Sequence, residues 1–276
     1  MSDIVLSQGV RSNLLQLQQT SSLITTTQER LATGRRVNSA LDNPINFFTA
    51  QSLSVRANDL NALLDSMSNA INTIQTANNG ISSITKLVQS AQALASQAQQ
   101  TSDTNTRATL ASQFDALLTQ IGTLAGDSGF NGINLLGNND LTITLNENGT
   151  STITVQSIDY TNASSNAAGG LNIAAATGNW AASADISNAA NSLTVALTTL
   201  RAESQALSSS LQTVEVRQNF TKAMTNTLQT GADNLTLADS NEEGANLLAL
   251  QTRQQLSTTA LSLAAQADQN VLRLFQ

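Results

Sequence analysis

The sequence contains no cysteine and no histidine. Without cysteine, the chain forms no disulfide and offers no thiolate nucleophile. Without either residue, it lacks the usual zinc ligands and the side chain most often used for proton transfer near neutral pH. A metalloprotease helix with a His-Glu-x-x-His motif is excluded for the same reason. The acidic residues are scattered, and only Glu242 and Glu243 are adjacent. We therefore predict no enzymatic activity, no metal site and no cofactor.

Aromatic residues make up 3% and charged residues 11% of the 276 residues, and Pro44 is the only proline. A globular core usually draws much of its buried area from aromatic side chains. Their scarcity favours helices that pack through leucine, isoleucine, valine and alanine. Because proline interrupts helices, its near absence permits long unbroken ones.

Basic clusters and long apolar runs are also missing. The net charge is −7, and Arg35-Arg36 is the only basic pair, which argues against nucleic-acid binding because that binding depends on clustered cations. No apolar run reaches the roughly 18 residues that span a bilayer. Residues 1–9 lack a basic segment followed by an apolar stretch, so we expect no membrane insertion and no cleaved signal peptide. On these residues alone, the simplest expectation is a cytoplasmic protein.

Apolar residues repeat at alternating spacings of three and four in three internal segments. The first runs from Leu53 to Ala98, the second from Arg107 to Leu124 and the third from Ile186 to Leu228. A seam held for roughly six heptads belongs to a helix about 70 Å long, and such a helix needs partners that cover its apolar side. The pattern predicts a mainly α fold, an elongated nested antiparallel helical bundle or coiled coil. Asn43 and Pro44 are expected to open the first long helix.

The two ends of the chain carry weaker stripes of the same kind. Gly34 is typical of a helix end and closes the first stripe, and Ser240-Asn241-Glu242-Glu243 has the pattern of a capping box that starts the last helix. Ser21 and Gln28 fill the remaining positions of the first stripe. The apolar stripe residues are Val10, Leu14, Leu17, Ile24 and Leu31 at the N-terminal end, and Leu256, Ala260, Leu263, Ala267, Val271 and Leu274 at the C-terminal end.

Between residues 126 and 179 the period changes from helical to two. Leu141 to Leu145 and Ile153 to Val155 alternate, and the connection between them contains Asn146-Glu147-Asn148-Gly149. This pattern predicts a β-hairpin. The stretch from Thr161 to Gly170 is rich in Ser, Asn, Ala and Gly and is expected to form a surface loop. We expect the hairpin to be a small β tip at the end of the bundle away from the termini.

A terminal helix pair with incompletely filled seams is weak alone, because most helical stability comes from packing. One interpretation is a self-contained intramolecular coiled coil. The other is that neighbouring copies complete the seams, so that the terminal helices become ordered on assembly. A contact between different faces that does not close into a ring produces an open helical filament. Under the second interpretation, the eleven stripe residues are polymerisation seams.

Four segments resemble bacterial flagellins. Glu29 to Asn43 resembles the N-terminal signature of that family, and Phe130 to Leu136 resembles the Phe-Asn-Gly element that leaves its N-terminal helical region. Arg217-Gln218-Asn219-Phe220 matches an element of the penultimate long helix, and Leu256 to Phe275 resembles the C-terminal helix. The four segments stand in the family's order at both ends of the chain.

The resemblance implies a structural subunit that self-assembles into the flagellar filament for motility. It implies a terminal-helix filament-core domain (1–43 and 236–276), a long-helix rod domain (44–128 and 181–235) and a short tip (129–180) in place of large outer domains. The implied partners are other copies of the chain, the flagellar type III export apparatus and its chaperone, and the hook-junction and cap proteins. The implied location is the extracellular filament, reached by secretion without a cleaved signal peptide.

One departure from the family bears on recognition. Family members sensed by the Toll-like receptor for flagellin carry an Arg and a Glu on the first long helix, where this chain has Ser90 and Ala93. We therefore predict weak or no recognition by that receptor. Two alternative functions stay open, a hook–filament junction protein of the same superfamily and a secreted coiled-coil adhesin. Asp42-Asn43-Pro44-Ile45 resembles the junction proteins, whereas an adhesin is expected to carry a signal segment or an anchor.

Overall fold

The computed structural model describes residues 8–164 and 170–273, apart from the side chains of Asp268 and of residues 271–273. This part of the chain is mainly α-helical, with one small sheet, as predicted. The elements are α1 (Gln8–Thr33), α2 (Pro44–Gln100), α3 (Thr104–Asp127), β1 (Leu141–Thr144), β2 (Thr152–Val155), α4 (Ser183–Thr236) and α5 (Ser240–Arg273). A search of the described helices for a segment long and apolar enough to cross a membrane finds none.

Local chemistry explains where the helices begin. Pro44 is the first residue of α2, and the Asn43 side chain caps it by accepting a hydrogen bond from a first-turn N–H at 3.0 Å, as predicted. The start of α5 differs from the prediction. Asp239 is the cap, because its Oδ1 accepts a hydrogen bond from the N–H of Asn241 at 2.8 Å. The predicted capping box therefore began one residue too late, at Ser240.

The chain divides into two compact units. The terminal unit consists of Met1–Val55 and Thr227–Gln276, and the central unit consists of Arg56–Asn226. Helices α2 and α4 contribute residues to both units. The large apolar cluster from Met67 to Val214 lies entirely in the central unit.

In the central unit, α2 packs against α3 and α4 through the predicted seams. Asn78, a polar interruption of the α2 seam, accepts a hydrogen bond from the Ser204 hydroxyl of α4 at 2.7 Å. Further along both helices, the Gln218 amide donates to the Ser68 hydroxyl at 2.8 Å, so α2 and α4 run antiparallel. The predicted α2 seam residues that are buried are Ala57, Leu60, Met67, Ile74, Ile81, Val88, Ala91, Ala95 and Ala98.

The predicted hairpin is confirmed, with β1 and β2 antiparallel and Leu141 opposite Val155. We expected the hairpin to form a tip at the end of the bundle away from the termini, and its observed position differs from that expectation. Glu147, in the hairpin loop, forms an ion pair with Arg56 of α2 at 2.6 Å. The far end of α2 is Gln100, which at 1.5 Å per residue lies about 66 Å from Arg56 along the helix. The hairpin therefore runs back beside the helices.

The hairpin can run beside the helices because α3 ends before it reaches the start of α2. Helix α3 stops at Asp127, and Ser128 lies against Gly80, near the middle of α2. Beyond that point, toward Arg56, no third helix lies beside α2 and α4 in the described part of the central unit, and the hairpin takes that place. Its inward side chains join the same apolar cluster as the helices; they are Leu141, Ile143, Leu145 and Val155.

Candidate assembly surface

Helices α1 and α5 form an antiparallel pair in the terminal unit, as predicted, because Arg30 near the end of α1 meets Glu243 near the start of α5. Their Cα atoms approach within 8 Å. We call the facing residues the inner seam. Its buried and half-buried residues are Val10, Asn13, Leu17, Thr20, Ile24, Thr27 and Leu31 on α1, and Glu243, Leu247, Leu250, Gln254, Ser257, Leu261 and Ala264 on α5. Every spacing in both sets is three or four, as expected of a coiled-coil contact.

The structure places four of the five predicted α1 residues on the inner seam, namely Val10, Leu17, Ile24 and Leu31. Leu14 lies at its edge and is 38% exposed. The predicted polar interruptions are wrong by one residue, because Thr20 and Thr27 are buried whereas Ser21 and Gln28 are exposed. A buried threonine is tolerated at such a position because its hydroxyl bonds within the helix; that of Thr20 donates to the Gln16 carbonyl at 2.8 Å.

The predicted α5 residues lie on the face of α5 that points away from α1. Leu256 is 67% and Leu263 is 62% exposed, and Ala260 and Ala267 are also exposed. Leu274 and the side chain of Val271 lie outside the described residues. We call this face the outer α5 stripe, and its described members are Ala249, Thr252, Leu256, Ala260, Leu263 and Ala267. Helix α5 therefore has two lengthwise apolar faces, and its own chain covers one of them.

An ion pair sets the register of the terminal helices. The Arg30 Nη1 donates to the Glu243 Oε1 at 3.2 Å, and the Glu243 side chain is only 10% exposed. Glu243 is part of the inner seam, and the other inner-seam residues of α5 are mostly apolar or small. A charge at such a position favours the one alignment that pairs it. Sequence reasoning assigned Glu243 to a capping box and did not find this contact.

The two connections of the terminal unit are held together by backbone hydrogen bonds. The N–H of Arg36 donates to the Thr236 carbonyl at 2.7 Å, and the N–H of Ala238 donates to the Gly34 carbonyl at 3.0 Å. The first connection is further fixed by Asp42. Hydrogen bonds from the backbone N–H groups of Ser39 and then Asn38 lower the pKa of Asp42, because these donors favour the ionised carboxylate.

A second exposed apolar face lies at the start of α2. We call it the α2 stripe, and its residues are Ile45, Phe48, Ser52 and Val55 of the helix, together with Leu41 in the turn that precedes it. Leu41 is 96% and Ile45 is 78% exposed. Phe48 packs edge to face on Phe47, with ring centroids 5.5 Å apart. The spacing of four and three along this stripe is visible in the sequence, but the predicted α2 seam begins only at Leu53.

Exposed apolar side chains are concentrated in the terminal unit. In the described part of the chain, fourteen large hydrophobic residues are exposed, and eleven of them belong to this unit. The three in the central unit are Val195, Val216 and Phe220. The smaller unit thus carries most of the large hydrophobic side chains that remain exposed, which is typical of surfaces that associate.

Two other predictions concern receptor recognition and metal binding. Ser90 and Ala93, the two positions on which the receptor prediction depends, are both exposed on α2. Within residues 8–164 and 170–273, no group of three or more acidic side chains is arranged to hold a metal ion.

Two family models match the chain. The bacterial flagellin N-terminal helical region matches residues 7–140, and the bacterial flagellin C-terminal helical region matches residues 190–275. The first match covers α1, α2 and α3 and ends just before β1. The second covers nearly all of α4 and α5, so both helices of the inner seam are included.

Individual proteins resemble the chain over its whole length. Flagellin FljM of Caulobacter vibrioides is 30% identical over 281 residues, which cover 100% of this chain and 99% of that protein. Flagellin FljK of the same organism is 31% identical over 97% of this chain and 96% of its own. A crystal structure of Bacillus cereus flagellin aligns with a TM-score of 0.47 and 22% identity, over 55% of this chain and 86% of that one.

Proposed function

Because this chain belongs to the bacterial flagellin family, we propose that its terminal unit polymerises through the outer α5 stripe. The chain is a structural subunit of the bacterial flagellar filament, because both matching family models and the named relatives are flagellins. The observation that carries the proposal is the exposure of Leu256 and Leu263 on a helix whose other face already has a partner.

The predicted seam residues then have two roles. Val10, Leu17, Ile24 and Leu31 hold α1 on α5 within one copy, with Leu14 at the border of that contact. The outer α5 residues contact neighbouring copies, and Val271 and Leu274 extend the same periodicity toward the end of the chain. Covering this stripe removes apolar side chains from water, and each fully buried leucine contributes about 1.5–3 kcal/mol.

We also propose the domain roles that the family resemblance implies. Residues 1–43 and 236–276 form the filament-core domain, residues 44–128 and 181–235 form the rod domain, and residues 129–180 form the β-hairpin and loop segment. The role of the first domain is supported by the apolar surface of α5, and that of the second by the large apolar cluster between Met67 and Val214.

Substitution of the outer stripe tests the polymerisation surface. We expect Leu263→Asp, and likewise Leu256→Asp, to block growth of filaments from seeds, because a carboxylate would be desolvated at the contact. Monomer unfolding should change little, since both side chains are exposed within the single chain. The measurements are electron microscopy of seeded filaments and thermal unfolding of the monomer.

Gln255→Asp is the matched control. Gln255 is exposed, precedes Leu256 on the same helix and points about 100° away from it. Filaments should still grow from this variant. Normal growth of the Leu263→Asp and Leu256→Asp variants would show that the outer α5 stripe is not the polymerisation surface.

The remaining partners and the location follow from family membership. We propose secretion through the flagellar type III export apparatus, with its chaperone and without a cleaved signal peptide, and contact with the hook-junction and cap proteins at the filament ends. The role is structural and not enzymatic. Loss of the chain from the medium of a strain without the export apparatus is the expected result, and continued secretion would contradict it.

Weak or absent recognition by the Toll-like receptor for flagellin is a further part of the proposal. It is supported by the exposed, uncharged Ser90 and Ala93 on α2. In a receptor reporter assay the native monomer should give little signal, and Ser90→Arg combined with Ala93→Glu should raise it. A strong response to the native monomer would contradict this proposal.

A further inference from the structure

We propose that the α2 stripe of one copy receives the outer α5 stripe of a neighbouring copy. This inference rests on the proposed function, namely that the terminal unit polymerises, and it adds which surface of the neighbour accepts α5. The contact joins residues near Phe48 on one copy to residues near Leu256 on the next.

The α2 stripe is apolar surface that its own chain leaves uncovered. The same stretch of α2 buries Ala50 on one face, while Ile45, Phe48 and Val55 are all more than half exposed on another. A helix that is apolar on two faces is normally covered on both. Phe48 is held by its edge-to-face contact with Phe47, so little side-chain freedom is lost when a partner packs on it.

The two stripes have matching spacings. Phe48 and Val55 are seven residues apart, as are Leu256 and Leu263, which places each pair about 10.5 Å apart along its helix. A parallel alignment that sets Phe48 beside Leu256 therefore also sets Val55 beside Leu263. Between these large side chains the outer α5 stripe presents Ala260, and the α2 stripe presents Ser52. Small residues between large ones leave room for interdigitation.

The charges that precede the stripes are complementary in the same alignment. Exposed Arg35 and Arg36 precede the α2 stripe, and exposed Glu242 precedes the outer α5 stripe. The carboxylate of Asp42, between Leu41 and Ile45, already accepts hydrogen bonds from the N–H groups of Asn38 and Ser39 in its own chain. In a parallel contact these opposite charges stand at the same end. Such charges at the edge of an interface favour one orientation over the reverse.

The contact also has the asymmetry that a filament requires. If the outer α5 stripe packed against the same stripe of another copy, the contact would be isologous and would close as a dimer. Contact between stripes on different helices is heterologous, so each copy keeps one stripe free for the next. The exposed side of α1 is a weaker acceptor, because Leu15 and Leu23 are separated by two turns with exposed Gln19 between them.

Cross-linking in assembled filaments tests the contact. The native chain has no cysteine, so a double variant, Phe48→Cys with Leu256→Cys, carries the only thiols. We expect a short bis-maleimide to convert most of this variant into a ladder of multimers in filaments grown from native seeds, and to leave dilute monomers uncross-linked. Denaturing gels give the readout. Val55→Cys with Leu263→Cys tests the same contact independently and is used if the first pair impairs assembly.

Thr49→Cys with Leu256→Cys is the matched control, because Thr49 is exposed and adjacent to Phe48 but points about 100° away. Its filaments should give few multimers. Filaments of both stripe pairs that form normally but yield no ladder, dimers only, or no more multimers than the control would overturn this inference and leave polymerisation intact. Failure of the native chain to grow from seeds would instead overturn the proposed function together with the inference.

Discussion

Arg107 is a buried cation that joins three helices of the central unit. It is 9% exposed. Its Nε donates to the Ala98 and Thr101 carbonyls at 3.2 and 2.7 Å, at the end of α2, and its Nη1 donates to the Ala181 carbonyl at 3.2 Å, just before α4. The carbonyls at the end of a helix lack intrahelical partners and carry partial negative charge. A single guanidinium thus satisfies the end of α2 and fixes the start of α4.

We expect Arg107→Met to lower the free energy of unfolding by about 1–3 kcal/mol, because buried carbonyls lose their donors. Arg201→Met removes an exposed arginine of α4 and should change stability by less than about 0.5 kcal/mol. Urea unfolding of both variants measures the difference. Equal stabilities would contradict the role assigned to Arg107.

Glu203 of α4 is half-buried, and desolvation by burial raises its pKa. It lies near Tyr160, whose buried hydroxyl has no hydrogen-bond partner among the described residues and whose pKa is raised by burial and then by the charge of Glu203. A carboxyl with a raised pKa binds its proton more tightly in the folded chain than in the unfolded chain. Its contribution to stability therefore falls as pH rises from its ordinary pKa through the raised value.

Glu203→Gln should therefore stabilise the protein at neutral pH and gain less, or nothing, at low pH. Glu215→Gln, at an exposed position of the same helix, should show neither effect. The measurement is the free energy of unfolding of the native protein and of the two variants, from neutral pH through the acidic range. A Glu203→Gln variant that is less stable than the native protein at neutral pH would contradict a destabilising Glu203 carboxylate.

At the scale of elements, Gly122 of α3 marks a close approach of backbone to backbone. A Cβ added at Gly122 would meet the carbonyl oxygen of Thr161, where the chain returns along α3 after the hairpin. Gly126, one turn later, has nothing within 4 Å of its added Cβ. Substituting each glycine in turn therefore distinguishes the effect of close packing from the effect of the low helix propensity of glycine.

Gly122→Ala should destabilise the protein by about 1–3 kcal/mol, because backbone atoms have to move. Gly126→Ala should be neutral or stabilising by up to about 1 kcal/mol, as expected when alanine replaces glycine in a helix. Thermal unfolding of the two variants provides the comparison. A stabilising Gly122→Ala would show that the return segment does not pack closely on α3.

The long helices and the hairpin could be predicted from the sequence, but some placements could not. Periodicity identified α2, α4 and the hairpin strands, because apolar residues recur at the spacing of each element. The position of the hairpin depends on where α3 ends relative to α2. The end of α3 is set by tertiary packing, which is visible in the contact between Ser128 and Gly80 and not in the sequence periodicity.

The two faces of α5 illustrate a second limit. Leu256 and Leu263 belong to a regular apolar stripe in the sequence, whereas the stripe that contacts α1 is interrupted by Gln254 and Ser257. Because of this interruption, the periodicity of the sequence favours the stripe of Leu256 and Leu263. The sequence therefore identified a contact surface on α5, but not whether its partner was the same chain or another.

At the scale of the whole molecule, the terminal and central units differ in how much apolar surface they bury. The inner seam includes Asn13, Thr20, Gln254, Ser257 and Ala264 beside its large apolar residues, so the α1–α5 pair gains less from burial than a fully apolar seam of the same length would. Helices with weak packing are marginal in water. The stability of this pair therefore depends on what covers its outer faces.

We expect the helical content of the protein to rise when monomers polymerise, because neighbouring copies then stabilise α1 and α5. Circular dichroism of monomers and of filaments at equal concentration measures this change. An unchanged helical signal on polymerisation would contradict the expectation.

The central claim is that other copies cover the outer face of α5. The most direct measurement is thiol labelling of a Leu263→Cys variant, which carries the only cysteine of the chain, in monomers and in filaments. We predict rapid labelling in monomers and labelling about tenfold slower or more in filaments, equivalent to about 1.4 kcal/mol of protection. Equally fast labelling in well-formed filaments would contradict the claim.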